Sequence, residues 1–171
     1  MLKGQDIVVL AALLSSAGSE LTLAELSESV SLGLGPIHRS LGRLRDAGLV
    51  TADRQVRLAQ TDEFFAHSLR YIFPPRMRGE TRGVPTSWAA SPLRERLSVS
   101  EGLPLVWGRP DGKVRGIELE PIHPIVPEAA LHDSALYELL ALIDALRSGD
   151  ARLRNLALSE LRERFALISA R

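Results

Sequence analysis

An arginine side chain on the outer face of a helix is suited to polyanions. Its guanidinium carries a rigid fork of donors that meets a phosphate, or the O6/N7 edge of guanine, in two bonds at once. Arg39 and Arg43 stand one helical neighbour apart, with Gly35, Pro36 and Gly42 on the same outward side and His38 and Arg45 on its flank. Arg54 follows at the tip of a short turn. These spacings nominate Gly35, Pro36, His38, Arg39, Arg43 and Arg54 as contacts to double-stranded DNA. A second basic group lies further on, where Arg78 and Arg82 precede Trp88. These three are candidate contacts to an acidic partner, either a nucleic-acid backbone or a second protein.

Other chemistries find little support. The chain has no cysteine, which removes disulfides, thiolate metal sites and thiol nucleophiles, and fits a reducing cytoplasm. His38, His67, His123 and His132 are scattered without metal-ligand spacing. No phosphate-cradling glycine loop, nucleophile elbow or zinc-protease signature occurs. Glu118 and Glu120 alternate along a predicted strand and read as a solvated sheet face rather than an acid/base pair. The expectation is a protein that is not an enzyme and uses no cofactor or metal.

The 171 residues are 45% hydrophobic and 25% charged, the composition of a globular chain, and the formal net charge is +0. The charge is uneven. Arg70, Arg76, Arg78, Arg82, Arg94, Arg96, Arg109, Lys113 and Arg115 outnumber the acids of the middle segment, and local asymmetry steers partners more than the total does. The apolar run near the start is soon interrupted by Ser15 and Ser16, too short for a membrane span.

The elements that must position the arginines follow from periodicity. Ile7, Leu10, Leu13 and Leu14 mark one face of a first helix. Thr22-Leu23-Ala24-Glu25 reads as a capping box opening a second helix. Ile37, Leu41 and Leu44 give the buried face of a third, from about Leu34 to Ala47, closed by Gly48. Leu49-Val50-Thr51 and Val56-Arg57-Leu58 predict a small hairpin, and a fourth helix runs from about Asp62 to Phe73. The order helix, helix, short turn, helix, hairpin is that of a helix-turn-helix, whose second helix braces the third for a major groove about 12 Å wide.

The stretch Leu23-Ala24-Glu25-Leu26, then Leu32, then Ile37-His38-Arg39-Ser40-Leu41-Gly42-Arg43-Leu44, ending Asp46-Ala47-Gly48-Leu49-Val50, resembles the winged helix-turn-helix of the MarR and IclR type of bacterial regulators. The resemblance covers about the first third of the chain. It implies a recognition helix from Leu34 to Ala47 and a wing at Asp53-Arg54-Gln55.

Beyond it, residues 74–104 read as an irregular connector rich in Pro, Gly and Arg, either an ordered strap that buries Trp88 or a plain tether. Leu105-Val106-Trp107 and Val114 to Leu119 predict a second hairpin around Pro110-Asp111-Gly112. Two helices follow, about Ser134 to Arg147 and Ala151 to Ile168. The first is apolar nearly all round, through Leu136, Leu139, Leu140, Leu142, Ile143 and Leu146. Such a helix needs burial on two faces, against its own chain or against a second copy. The dimer reading takes Leu139, Leu140, Leu142 and Ile143 as the interface.

The fold class expected is therefore mainly α with small β-hairpins: a winged helix-turn-helix domain over 1–73, a connector over 74–104, and a hairpin with a helix pair over 105–171. Two functions remain open at this stage. One is a homodimeric DNA-binding transcriptional regulator. The other is a winged-helix module that works through protein contacts, such as an antitoxin or an assembly adaptor.

Overall fold

The computed structural model describes residues 1–17, 19–98 and 102–171. The chain is mostly helical with one small sheet. Helices α1 (Gly4–Ser15), α2 (Leu23–Val30) and α3 (Leu34–Asp46) open it. A tight turn at Thr51–Gln55, held by the single bridge Val50↔Val56, leads to α4 (Leu58–His67) and α5 (Leu69–Ile72). Strand β1 (Met77–Pro85), a 3-10 turn (Ser87–Ala89), α6 (Leu93–Arg96), β2 (Leu105–Gly108) and β3 (Val114–Leu119) come next. Helices α7 (Val126–His132), α8 (Ser134–Ser148) and α9 (Ala151–Ser169) close the chain.

Two helices form the centre. In α1 every residue from Asp6 to Leu14 is buried, because α2 and α3 cover one side and α8 the other. In α8 burial runs unbroken from Leu139 to Arg147, under α1, α5, α7, α9 and the 3-10 turn. Each large aliphatic side chain taken fully out of water contributes about 1.5–3 kcal/mol, so these two helices hold the chain together. One buried cluster reaches from Ile7 through Leu142 to Phe165, continuous across residues 73 and 104 where the sequence reading places its segment boundaries.

This packing corrects the dimer interface expected from the sequence. Leu139, Leu140, Leu142 and Ile143 are at most 3% exposed within one chain. The apolar circumference of α8 is consumed by the protein's own helices, and none of the four is free to meet a partner.

The capping box at α2 forms as expected. The Glu25 N–H donates to Thr22 Oγ1 at 3.1 Å, and the Thr22 N–H donates to Glu25 Oε2 at 2.8 Å. The α2–α3 turn then bends through Ser31, whose φ is 53°. The expected fourth helix differs in detail. It starts four residues earlier, at Leu58, and breaks at Ser68, where φ is −122°. The second strand of the expected wing hairpin is correspondingly reduced to the one bridge at Val56.

Residues 74–104 are not an irregular connector over their described length. They carry β1, the longest strand, together with the 3-10 turn and α6; residues 99–101 lie outside the described residues. Within β1, Gly83 is a glycine the strand requires. A Cβ on Gly83 would stand 1.9 Å from the Trp107 carbonyl oxygen, and a Cβ on Gly112 would meet the Gly83 backbone at 2.4 Å. Glycine is used where backbones approach closely.

The second hairpin is also corrected. Although Arg109–Gly112 does turn, β2 and β3 do not pair as antiparallel neighbours. Both pair antiparallel with β1, β3 along Met77–Gly83 and β2 along Gly83–Pro85. Two strands antiparallel to a third run parallel to each other, so Leu105 meets Ile117 and Val106 meets Glu118 in parallel register, and the three strands close on themselves.

A buried polar network ties this sheet to α8. Asp144 Oδ2 accepts from Thr86 Oγ1 at 2.8 Å and from the Trp107 indole N–H at 2.6 Å, while Oδ1 accepts from Arg147 at 2.7 Å. Arg147 Nε in turn donates to the Phe73 carbonyl at 2.9 Å. Every charge in the group is paired and bonded, the condition under which buried ions are tolerated. No helix among the described residues is long and apolar enough to cross a membrane.

Candidate nucleic-acid interface

Helix α3 buries Ile37, Ser40, Leu41 and Leu44 and turns its other side outward. Leu34, Gly35, His38, Arg39, Arg45 and Asp46 are exposed, and Gly42 is half-exposed with open space where its Cβ would be. Helix α2 packs on α3, and its Leu26 and Val30 are fully buried. Arg39 and Arg45 are exposed and make no ion pair among the described residues; the Arg39 guanidinium lies back over Gly35.

Two of the nominated residues turn elsewhere. Arg43 donates from Nε to Asp6 Oδ2 at 2.8 Å and from Nη2 to Asp6 Oδ1 at 2.7 Å. Asp6 is fully buried in the first turn of α1 and also accepts the Lys3 N–H at 2.7 Å. Hydrogen bonding to Asp6 raises the Arg43 pKa above its ordinary value. Both donors of the Arg43 fork are therefore spent inside the protein, and Arg43 is a clasp between α3 and α1 rather than a free contact. Pro36 is half-buried on the same side, where its carbonyl accepts from the Gln5 amide at 3.1 Å. Gln5 also donates to Ser40 Oγ at 2.7 Å. The edge of α3 marked by Pro36, Ser40 and Arg43 thus leans on the start of α1. Sequence reasoning assigned this edge to the outside because Asp6 and Gln5, its partners, lie more than thirty residues away along the chain.

The turn beyond α3 is small and rigid. The Thr51 N–H donates to the Gln55 carbonyl at 2.9 Å, and the Arg54 N–H to the Thr51 carbonyl at 3.0 Å. Arg54 sits at φ 67°. Asp53 accepts the Thr51 hydroxyl, and that bond holds its carboxyl below the ordinary range. The Arg54 side chain is half-exposed and unpaired among the described residues, and exposed Arg57 follows it at the start of α4. Arg57 drew no attention in the sequence reading because it was assigned to a strand.

The second basic group is divided by the sheet. Arg78 bonds Glu120 at 3.1 Å, and Arg115 bonds Glu80 at 2.9 Å. Arg82, directly opposite Arg115 in the ladder, has no ion pair among the described residues. Trp88 is half-buried in the 3-10 turn beside Met77 and Leu153, which fits an ordered segment rather than a tether. Trp107, by contrast, is wholly buried and stacks at 5.6 Å on Tyr137.

Comparisons with protein-family models, with curated proteins and with solved structures found no match to this chain.

Proposed function

We propose that this protein is a DNA-binding transcriptional regulator built on a winged helix-turn-helix, with α2 as brace, α3 as recognition helix and the Thr51–Gln55 turn as a minimal wing. The observation that carries the reading is the outward face of α3. It presents His38 together with Arg39 and Arg45, neither arginine in an ion pair among the described residues, on a helix otherwise locked in place by buried side chains and the Arg43–Asp6 clasp. A rigid helix with unneutralised arginines is what major-groove docking requires. Gly42, with nothing within 4 Å of where its Cβ would be, leaves the helix surface low, which favours close approach of a duplex edge. Arg54 and Arg57 stand next along the chain as candidates for the backbone or minor groove.

Selection of bound duplexes from a random-sequence pool tests this. The full chain should enrich a defined motif, and the Arg39→Ala/Arg45→Ala variant should enrich none. Failure of the native protein to retain any duplex at low salt would remove the reading.

One observation favours a second reading, a winged-helix module that binds protein. Leu34 is 51% exposed at the leading end of α3, and Gly35, Gly42 and the exposed Asp46 at its far end make the accessible side of this helix less basic than most phosphate-binding surfaces. Under that reading Leu34→Asp abolishes capture of a partner while duplex retention is absent from the start.

A further inference from the structure

On a different face of the molecule, α4, α5 and α9 enclose a cleft of about 370 Å³, within the range of small-molecule sites. Its floor is apolar: Phe65 and Leu146 are buried and Leu158 is half-buried. Its rim is cationic. Arg154 and Arg162 stand two turns apart on α9, with Leu158 between them, and Arg70 lines the cleft from α5.

These arginines are held in three different ways. Arg162 is neutralised by a two-bond pair with Asp62, at 2.7 and 3.1 Å. Arg154 donates to the Gly149 carbonyl at 2.8 Å, which fixes the side chain and leaves its charge intact. Arg70 lies over the ring of its neighbour Tyr71, 4.6 Å from the centroid, again oriented without being neutralised. No carboxylate lines the cleft among the described residues, and neither Arg70 nor Arg154 has an ion pair among them. Exposed Asn155 and 69% exposed Tyr71 add hydrogen-bonding and aromatic surface at the mouth.

Two like charges that line one concave, partly apolar space without a neutralising carboxylate raise the free energy of the empty protein. An anion seated between them relieves it. We propose that this cleft binds a small organic anion with a flat apolar body. A carboxylate or phosphate of the ligand lies between Arg70 and Arg154, and its body rests on Phe65, Leu146 and Leu158 beside Tyr71. The site is independent of α3 and of the DNA-binding reading.

Calorimetric titration of the full chain with three probes tests the assignment: 2-naphthoate, its neutral counterpart 2-naphthalenemethanol, and inorganic phosphate. Naphthoate should bind about ten-fold more tightly than the alcohol, the difference a charge-assisted bond confers, and more tightly than inorganic phosphate, which cannot use the floor. Arg70→Gln with Arg154→Gln should erase the preference for naphthoate over the alcohol. Arg154→Lys keeps the charge and should retain most of that preference, so a loss of fold in the double variant does not leave the question open. Lys113→Gln, in the turn before β3, should match the native protein. Equal affinity for naphthoate and the alcohol would overturn the cationic site. Inorganic phosphate binding as tightly as naphthoate would overturn the ligand class.

Discussion

At the scale of single residues, the sharpest distinction is between two arginines on one helix. Arg39 and Arg43 stand on neighbouring turns of α3 and look equivalent in sequence. In the fold, Arg39 is free and Arg43 closes on a buried carboxylate. Their substitutions should therefore fail in different ways. Arg43→Ala leaves Asp6 buried and without its counter-charge, at a cost of about 3 kcal/mol, readable in a urea melt. Arg39→Ala should leave the melt within about 0.5 kcal/mol of the native protein, as exposed substitutions do. Equal stability of Arg43→Ala and the native chain would show the clasp to be idle. The capping box yields a pH prediction. Hydrogen bonds from Thr22 hold the Glu25 carboxyl below its ordinary 4.5. A depressed folded value means the charged form stabilises the fold, so the contribution is fully present above 4.5 and fades as pH falls through the lower folded value. The stability gap between native protein and Glu25→Gln, followed by thermal melts across this range, should close on acidification. A gap that persists at low pH would assign the effect to something other than the charge.

At the scale of elements, most of the long helices were legible, while α7, the break between α4 and α5, and the sheet were not. Thr22 and Glu25 announced α2, and the spacing of Ile37, Leu41 and Leu44 announced α3. Each signal is local, so a sequence window contains it. Strand β1 is specified from outside its own window. Its Gly83 makes room for the Trp107 backbone more than twenty residues on, and its arginines find Glu120 and a cross-strand neighbour in β3. The wrong pairing of β2 with β3 has the same origin, since Pro110-Asp111-Gly112 does make a turn and only β1 decides which strands the turn joins. Gly83→Ala should then be disproportionately harmful for so small a change, destabilising by about 3 kcal/mol as over-packing does. Gly79→Ala, where a Cβ meets nothing within 4 Å, serves as the control in the same strand. Comparable melts for the two variants would contradict the close approach of β1 to β2.

At the scale of the whole molecule, the lesson concerns α8 and the outer face of α3. Apolarity all round a helix says that two faces are covered and leaves open by what. Here α1, α7 and α9 cover them. Leu140→Ala should accordingly lower stability by about 3 kcal/mol with a denaturation midpoint independent of protein concentration. A midpoint that climbs with concentration would return α8 to an interface. The candidate site was legible in part. Gly35, His38, Arg39 and Arg54 stay accessible, Pro36 and Arg43 are drawn onto α1, and Arg45 and Arg57 join the accessible group. The surplus of free arginine on the recognition side is the centre of the proposed function. It is tested most directly by the salt dependence of duplex affinity, measured by fluorescence anisotropy for the native chain and for Arg39→Ala/Arg45→Ala. Each phosphate contact contributes about 0.9 to the slope of log affinity against log salt. If both arginines meet phosphates, the variant's slope should be shallower by about 2, with the fold intact. An unchanged slope, or no salt-sensitive duplex binding by the native chain, would contradict α3 as a DNA-reading helix.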